Sequence, residues 1–146
     1  MTTRTNPYVK HYGLVKPLID LSKTIQGYGL EENLMRLVEI RASQINGCGV
    51  CLDMHSKEAR QAGETEERVL MLSAWRETTL YNEREKAALA WTEAVTRVAD
   101  SRVPDELYAE TAGQFSEQEL VELTFVVCTI NVHNRLAVAF RRVPGS

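Results

Sequence analysis

Two cysteines and one histidine stand close together in the segment Gly47-Cys-Gly-Val-Cys-Leu-Asp-Met-His55. If this segment is helical from Cys48, then Cys48, Cys51 and His55 occupy positions i, i+3 and i+7 and share one face. The rise of a helix places the two cysteine Cα atoms about 5 Å apart, which a disulfide tolerates. This spacing predicts a dithiol that forms and breaks a disulfide without a large movement of the backbone.

His55 distinguishes the two sulfur atoms. It follows Cys51 by one helical turn, whereas it lies two turns, roughly 10 Å along the axis, from Cys48. The N-terminus of a helix and a neighbouring imidazolium both favour the thiolate, which is the nucleophilic form of cysteine. We therefore predict that Cys51 is the activated nucleophile and that Cys48 resolves its sulfenic acid to a disulfide.

A histidine that exchanges protons is usually oriented by a third group. Glu39 lies on the preceding predicted helix, near the turn that carries Cys48, and is the best carboxylate for this role. Asp53 is closer in sequence, but helical spacing directs it to another face. We therefore predict Glu39, and not Asp53, as the partner of His55.

The same three side chains are also potential zinc ligands. A closed structural zinc site needs four ligands, and the nearest additional donors are Glu39 and His133. A zinc-binding structural module at Cys48, Cys51 and His55 therefore stays open as an alternative. So does a non-enzymatic redox sensor that uses the disulfide as a conformational switch.

Five further residues of interest lie in the last apolar segment. We predict that Cys128, within Val-Val-Cys-Thr-Ile, belongs to the core. We expect His133 to be a packed, hydrogen-bonded helix residue, with a place in the thiol pocket as the alternative. Asn131, Asn134 and Arg135 need partners if they are buried. We expect structural hydrogen bonds for them, with a role in the pocket or in a trimer interface as the alternative.

The elements that carry these residues are predicted to be helices. No proline interrupts residues 18–103, Gly47 is a plausible helix stop, and Asn82 and Ser116 each precede a glutamate with capping-box spacing. Apolar residues recur at helical intervals through most of the chain. The pattern predicts an all-α bundle of six to seven helices in one domain over residues 1–146. The expected helices span residues 15–25, 31–46, 48–62, 64–75, 82–98, 104–113 and 116–140.

Composition restricts the partners and the compartment. The formal net charge of −3 and the absence of a basic stripe argue against nucleic acid. No segment reaches the roughly 18–20 uncharged apolar residues of a membrane span, and the N-terminal segment lacks the apolar core of a signal peptide. We therefore expect no membrane partner and a reducing cytoplasm, where three cysteines are not a disulfide framework.

A family resemblance is carried by the segment Glu39-Ile-Arg-Ala-Ser-Gln-Ile-Asn-Gly-Cys-Gly-Val-Cys-Leu-Asp-Met-His55. It closely resembles the core of the carboxymuconolactone decarboxylase/alkylhydroperoxidase (AhpD-like) family. The later segment, residues 122–140, resembles the family's closing helix. The resemblance spans residues 10–142 and implies an AhpD-like helical fold that assembles as a homo-oligomer, in trimers or hexamers.

The resemblance also implies an activity, which is thiol-dependent reduction of hydroperoxides by a dithiol or protein reductant without a metal or organic cofactor. In the family's peroxidase branch the second cysteine, matching Cys51, is peroxidatic and the first, matching Cys48, resolves. The motif histidine, matching His55, is joined there to a glutamate twelve residues before the first cysteine, a position that Arg36 occupies here. Glu39 stands one helical turn later. The decarboxylase branch generally lacks the cysteine pair, so we predict a thiol peroxidase or a related disulfide reductase.

Overall fold

A computed structural model describes residues 4–146, which contain nine α-helices, one 3₁₀ helix and no β-strand. The predicted all-α class is confirmed. In chain order the helices are α1 (Pro7–Lys10), α2 (Tyr12–Gln26), α3 (Glu32–Asn46), α4 (Gly49–Gln61), α5 (Glu66–Leu70), the 3₁₀ helix (Met71–Glu77), α6 (Glu83–Thr96), α7 (Val98–Ser101), α8 (Asp105–Ala112) and α9 (Glu117–Ala139).

The predicted number of six to seven helices was too low. The single-turn helices α1 and α7 are too short to show a helical period in the sequence. Residues 64–75, expected as one helix, divide into α5 and the 3₁₀ helix, and Ala74 has non-helical dihedral angles within the latter. The two predicted capping boxes are both present, at Asn82 and at Ser116, and they begin α6 and α9.

Helix α3 lies at the centre of the fold and packs against α4, α6 and α9. Leu34 and Val38 on one side of α3 pack into a cluster with Leu123 and Val127 of α9. Residues on its other side join a second cluster with α6 and the 3₁₀ helix. Each fully buried Leu or Val stabilises the fold by about 1.5–3 kcal/mol, so α3 is a rigid support for the side chains it carries.

A buried polar network fixes the end of α3 against α9. Asn46 Nδ2 donates to Asn131 Oδ1 at 3.0 Å and to Asn134 Oδ1 at 2.9 Å. Asn134 Nδ2 in turn donates to Ser43 Oγ at 3.0 Å. The structural hydrogen bonds predicted for the two asparagines of α9 are confirmed. Because Asn46 comes just before the cysteine segment, the network holds that segment in place.

Helix α9 has an apolar outer face in addition to its buried face. Val121, Phe125, Cys128 and Val132 follow one another at helical spacing and are all exposed; we call them the α9 outer face. The prediction that Cys128 belongs to the core was therefore wrong. Its apolar neighbours occur on every side of α9, so they do not indicate which side of the helix is buried.

Within residues 4–146, no helix combines the length and the apolar character that crossing a membrane requires.

Candidate active site at the start of helix α4

The turn between α3 and α4 places the two cysteines. Gly47 ends α3 in the left-handed conformation, with φ of 66°, which glycine adopts without a side-chain clash. Cys48 is the extended N-cap residue of α4, so this helix begins one residue later than predicted. The Cα atoms of Cys48 and Cys51 are 5.4 Å apart, close to the predicted spacing, and the two residues form a disulfide.

Cys51 and His55 line a cavity of about 360 Å³, which is within the size range of small-molecule sites. Cys51 lines this cavity, whereas Cys48 does not. Cys51 lies in the first turn of α4, where the unpaired backbone N–H groups and the helix dipole favour a negative charge. The first-turn position therefore favours a thiolate at the sulfur that faces the cavity.

Two carboxylates hold one nitrogen of the His55 ring. Nδ1 lies 2.8 Å from Glu39 Oε2 and 3.0 Å from Glu58 Oε2. The imidazole and the Glu39 carboxylate are both largely buried, whereas the Glu58 side chain is 48% exposed. With Nδ1 engaged in this way, Nε2 is the ring nitrogen left to exchange a proton with a group in the cavity.

These contacts change the acidity of His55. Burial disfavours the imidazolium, but the hydrogen bonds and negative charges of Glu39 and Glu58 outweigh it and raise the pKa of His55 above its ordinary value. A raised pKa makes His55 a better proton acceptor, and its protonated form favours a thiolate nearby.

Arg36 and Asp53, the two neighbouring charged residues considered in the sequence, lie outside this arrangement. Arg36 contacts Glu32 on its own helix, and Asp53 forms an ion pair with Lys57 at 2.8 Å. Both pairs have the i, i+4 spacing of ordinary helix-surface contacts. The structure thus brings Glu39, and neither of these residues, to His55.

A potential metal-binding cluster overlaps with the site. Among the described residues, ligand atoms of Glu39, His55 and Glu58 lie within 4.8 Å of one another. Neither Cys48 nor Cys51 belongs to this group. The hydrogen bonds from His55 to the two carboxylates account for the short distances between these atoms.

Comparison with known proteins assigns the chain to a family. The profile of the carboxymuconolactone decarboxylase family matches residues 18–94. Protein YdfG of Bacillus subtilis is 39% identical over 125 residues, which are 86% of this chain and 85% of YdfG. The chain belongs to the carboxymuconolactone decarboxylase family. Protein YnjA of Escherichia coli is 29% identical over 106 residues, which are 73% of this chain and 58% of YnjA.

Solved structures of similar proteins support the AhpD-like fold for this member of the carboxymuconolactone decarboxylase family. A protein of unknown function from Agrobacterium tumefaciens, described as a candidate antioxidant defence protein AhpD, superposes with a TM-score of 0.93 and 39% identity, covering 99% of this chain and 100% of its own. The debrominase Bmp8 has a TM-score of 0.82 and 22% identity, covering 93% of this chain and 74% of its own. At that identity the likeness to Bmp8 concerns the fold alone.

In this member of the carboxymuconolactone decarboxylase family, four residues that line the cavity or contact His55 could not be assigned to the site from the sequence. Glu58 follows His55 at i+3, a spacing that could have indicated the contact. His133 was expected either to be a hydrogen-bonded helix residue or to lie in the thiol pocket. It is hydrogen-bonded and it also lines the cavity. Tyr8 and Arg142 line the cavity from opposite ends of the chain, and no local pattern could connect them.

Proposed function

We propose that this chain is a thiol-dependent peroxidase, or a closely related disulfide oxidoreductase, that reduces hydroperoxides through Cys48 and Cys51. One observation carries the proposal: Cys51, in the first turn of α4, lines the same cavity as His55, whose Nδ1 is held by Glu39. The other cysteine is close enough to form a disulfide with Cys51. A nucleophile, a proton acceptor and a resolving thiol are therefore all supplied by adjoining residues.

In the first step, His55 takes the proton of the Cys51 thiol and the thiolate attacks the outer oxygen of a hydroperoxide ROOH. The S–O bond forms and the O–O bond breaks, so that Cys51 becomes a sulfenic acid and RO⁻ leaves, to be protonated to ROH. Two electrons pass from the sulfur to the peroxide. The helix N-terminus and the raised pKa of His55 both support the thiolate on which this step depends.

In the second step, the Cys48 sulfur attacks the sulfenic sulfur of Cys51. The S–S bond forms, the S–O bond breaks, and the hydroxyl group leaves with the Cys48 proton as water. A dithiol or a protein reductant then returns two electrons and two protons to the disulfide. The 5.4 Å separation of the Cα atoms supports resolution within one helical turn.

Glu39 takes the role that Arg36 cannot provide. It holds Nδ1 of His55, so Nε2 is directed to proton exchange, and its charge favours the imidazolium. The mainly apolar side chains that line the cavity, which include Ile25, Met35 and Ile130, support a small alkyl hydroperoxide as the substrate. No metal or organic cofactor enters either step.

The decisive test is a peroxidase assay with dihydrolipoamide as the dithiol donor, on the wild type and on Cys51→Ser. We expect steady turnover of an alkyl hydroperoxide by the wild type and loss of turnover in the variant. Equal rates in the two proteins would overturn the assignment of Cys51. Disulfide formation without turnover in the wild type would instead support the redox sensor, and stoichiometric zinc with unreactive thiols would support the structural module.

The α9 outer face supports assembly with further copies of the chain. Its apolar side chains lie beside the exposed Leu21 of α2 and Tyr28 of the turn that follows α2. Exposed apolar patches of this kind mark interaction sites. We infer a homo-oligomer, a trimer or hexamer as in the family. We also infer that the protein works in the cytoplasm, where dithiol reductants are present.

A further inference from the structure

The wall of the cavity carries a second proton-exchanging pair besides His55 and Glu39. The Tyr8 hydroxyl is hydrogen-bonded to Nδ1 of His133, and the two rings are stacked with centroids 5.8 Å apart. Both residues line the cavity that Cys51 and His55 also line. The first step described above does not use either of them.

Arg142 lies over the same tyrosine. Its guanidinium carbon is 4.3 Å from the centroid of the Tyr8 ring, within the range of a cation–π contact. Arg142 also lines the cavity. A positive charge at this position stabilises a tyrosinate if the Tyr8 hydroxyl gives up its proton.

The pKa values of the two histidines of the cavity are shifted in opposite directions. Against the effect of burial, the carboxylates Glu39 and Glu58 raise the pKa of His55. Burial and then the positive charges of His55 and Arg142 lower the pKa of His133, and the charge of Glu39 opposes them. Burial raises the pKa of Tyr8, and Arg142 opposes it. At a functional site, two titratable groups can take the roles of acid and base when their surroundings shift their pKa values apart.

A neutral Tyr8–His133 pair always has one proton to give. When the Tyr8 hydroxyl donates to Nδ1, the spare proton is on Nε2 of His133. When Nδ1 carries the hydrogen and donates to the tyrosine oxygen, the spare proton is on the Tyr8 hydroxyl. In both arrangements the pair has a donor on the wall of the cavity.

We propose that Tyr8 and His133 form the general acid that protonates the leaving oxygen of the hydroperoxide. The inference rests on the proposed function. It adds to that function a general acid that is distinct from the base, His55. His55 takes the proton of Cys51, and the second pair supplies the proton to RO⁻.

The step balances in atoms and charge. The Cys51 thiolate takes the OH group of ROOH, the electron pair of the O–O bond leaves on RO, and one proton passes from the pair to form ROH. The pair is left with one negative charge, which resides on the Tyr8 oxygen beneath Arg142. The proton that His55 accepted from Cys51 then restores the pair, so no further reactant is needed.

The test compares two oxidants that differ in their leaving group. An alkyl hydroperoxide releases an alkoxide, which requires a proton, whereas peracetic acid releases a carboxylate, which is stable without one at neutral pH. The reduced wild type and Tyr8→Phe are each oxidised once, and the rate is followed by the loss of free thiols. Tyr12→Phe, which changes an exposed tyrosine of the same segment, is the matched control.

We expect Tyr8→Phe to react about 10²-fold more slowly with tert-butyl hydroperoxide and at the wild-type rate with peracetic acid. Its reaction with peracetic acid also shows that the variant is folded around Cys51. His133→Phe is expected to show the same selective loss, and Tyr12→Phe to show none.

Two results would overturn the proposal. If Tyr8→Phe slows both oxidants equally, its role is structural, and if it slows neither, the pair does not donate the proton. The failure of the proposed function is a separate result, because the wild type itself would then not turn over the alkyl hydroperoxide.

Discussion

Nδ1 of His55 lies 2.8 Å from Oε2 of Glu39, so one hydrogen bond joins α4 to α3 beside the cavity. Arg36, at the position where the family's peroxidase branch has its glutamate, instead contacts Glu32 on its own helix. A carboxylate one turn further along α3 thus reaches the histidine that follows the cysteines. Against the effect of burial and together with Glu58, this contact raises the pKa of His55, and the first two predictions follow from it.

Replacing Glu39 by Gln is expected to lower the pKa of His55, because the variant loses a negative charge that favours the imidazolium. The measurement is an NMR titration of the His55 ring in the oxidised protein, where Cys51 does not titrate. Glu58→Gln, which changes the more exposed carboxylate, should give a smaller decrease. An unchanged His55 titration in Glu39→Gln would contradict the assigned contact.

The same contact predicts how stability depends on pH. Below about pH 6.5, His55 is protonated in the folded and the unfolded chain, so its pairing with Glu39 stabilises the fold in full. This contribution is lost as the pH rises through the raised pKa of folded His55. The free energies of unfolding of wild type and Glu39→Gln, from urea denaturation, should therefore differ more at about pH 6 than at about pH 9. Asp53→Asn, at an exposed pair, serves as the control, and a difference that grows with pH would contradict the prediction.

The sequence predicted the contacts that depend on one helix or on two consecutive helices. Helical spacing placed Cys51 and His55 on one face, and the short turn after α3 brought Glu39 to them. The position of Tyr8 could not be predicted in this way, because it reaches the cavity only when the N-terminal segment packs beside the end of α9. No periodicity describes such contacts between distant parts of a chain.

The error at Cys128 has a different physical cause. In most helices a stripe of apolar residues identifies the buried side. Helix α9 is apolar nearly all round, so its sequence pattern does not distinguish a buried side from an exposed one. The apolar neighbours of Cys128 therefore favoured the core, although they could not show which side of the helix is buried. Its exposure on the outer face follows from the packing of Leu123 and Val127 toward α3.

If Cys48 is the resolving thiol, as we propose, its removal should stop the reaction at the first product. In Cys48→Ser, one equivalent of hydroperoxide should convert Cys51 to a sulfenic acid that no neighbouring thiol condenses. Mass spectrometry after reaction with dimedone should find the adduct on Cys51. Cys128→Ser is the matched control, since Cys128 lies on the outer face and should leave turnover unchanged. An adduct on Cys48 in Cys51→Ser, with none on Cys51 in Cys48→Ser, would reverse the roles.

Asn46→Ala should destabilise the fold at the point where α3 meets α9. The change leaves Asn134 Oδ1 without its donor, whereas Asn131 Oδ1 keeps a hydrogen bond from Arg135. An unsatisfied buried polar group costs about 1–3 kcal/mol. Urea denaturation measures the loss, and the exposed Asn33→Ala should change stability by less than about 0.5 kcal/mol. Equal stability of the two variants would show that the network does not hold the turn before Cys48.

Phe125→Glu is expected to break the assembly that the α9 outer face supports. Phe125 is 46% exposed and lies beside Glu122, whose Oε2 is buried and has no hydrogen-bond partner within residues 4–146. A second copy that covers this face would bury the ring and could supply the missing donor. A charge at position 125 would have to be desolvated in that interface, which is costly. Light scattering after size-exclusion chromatography should show an oligomer for the wild type and for Leu70→Glu, an exposed change on α5, but a monomer for Phe125→Glu. A monomeric wild type would exclude the assembly. An oligomeric Phe125→Glu would place the interface elsewhere.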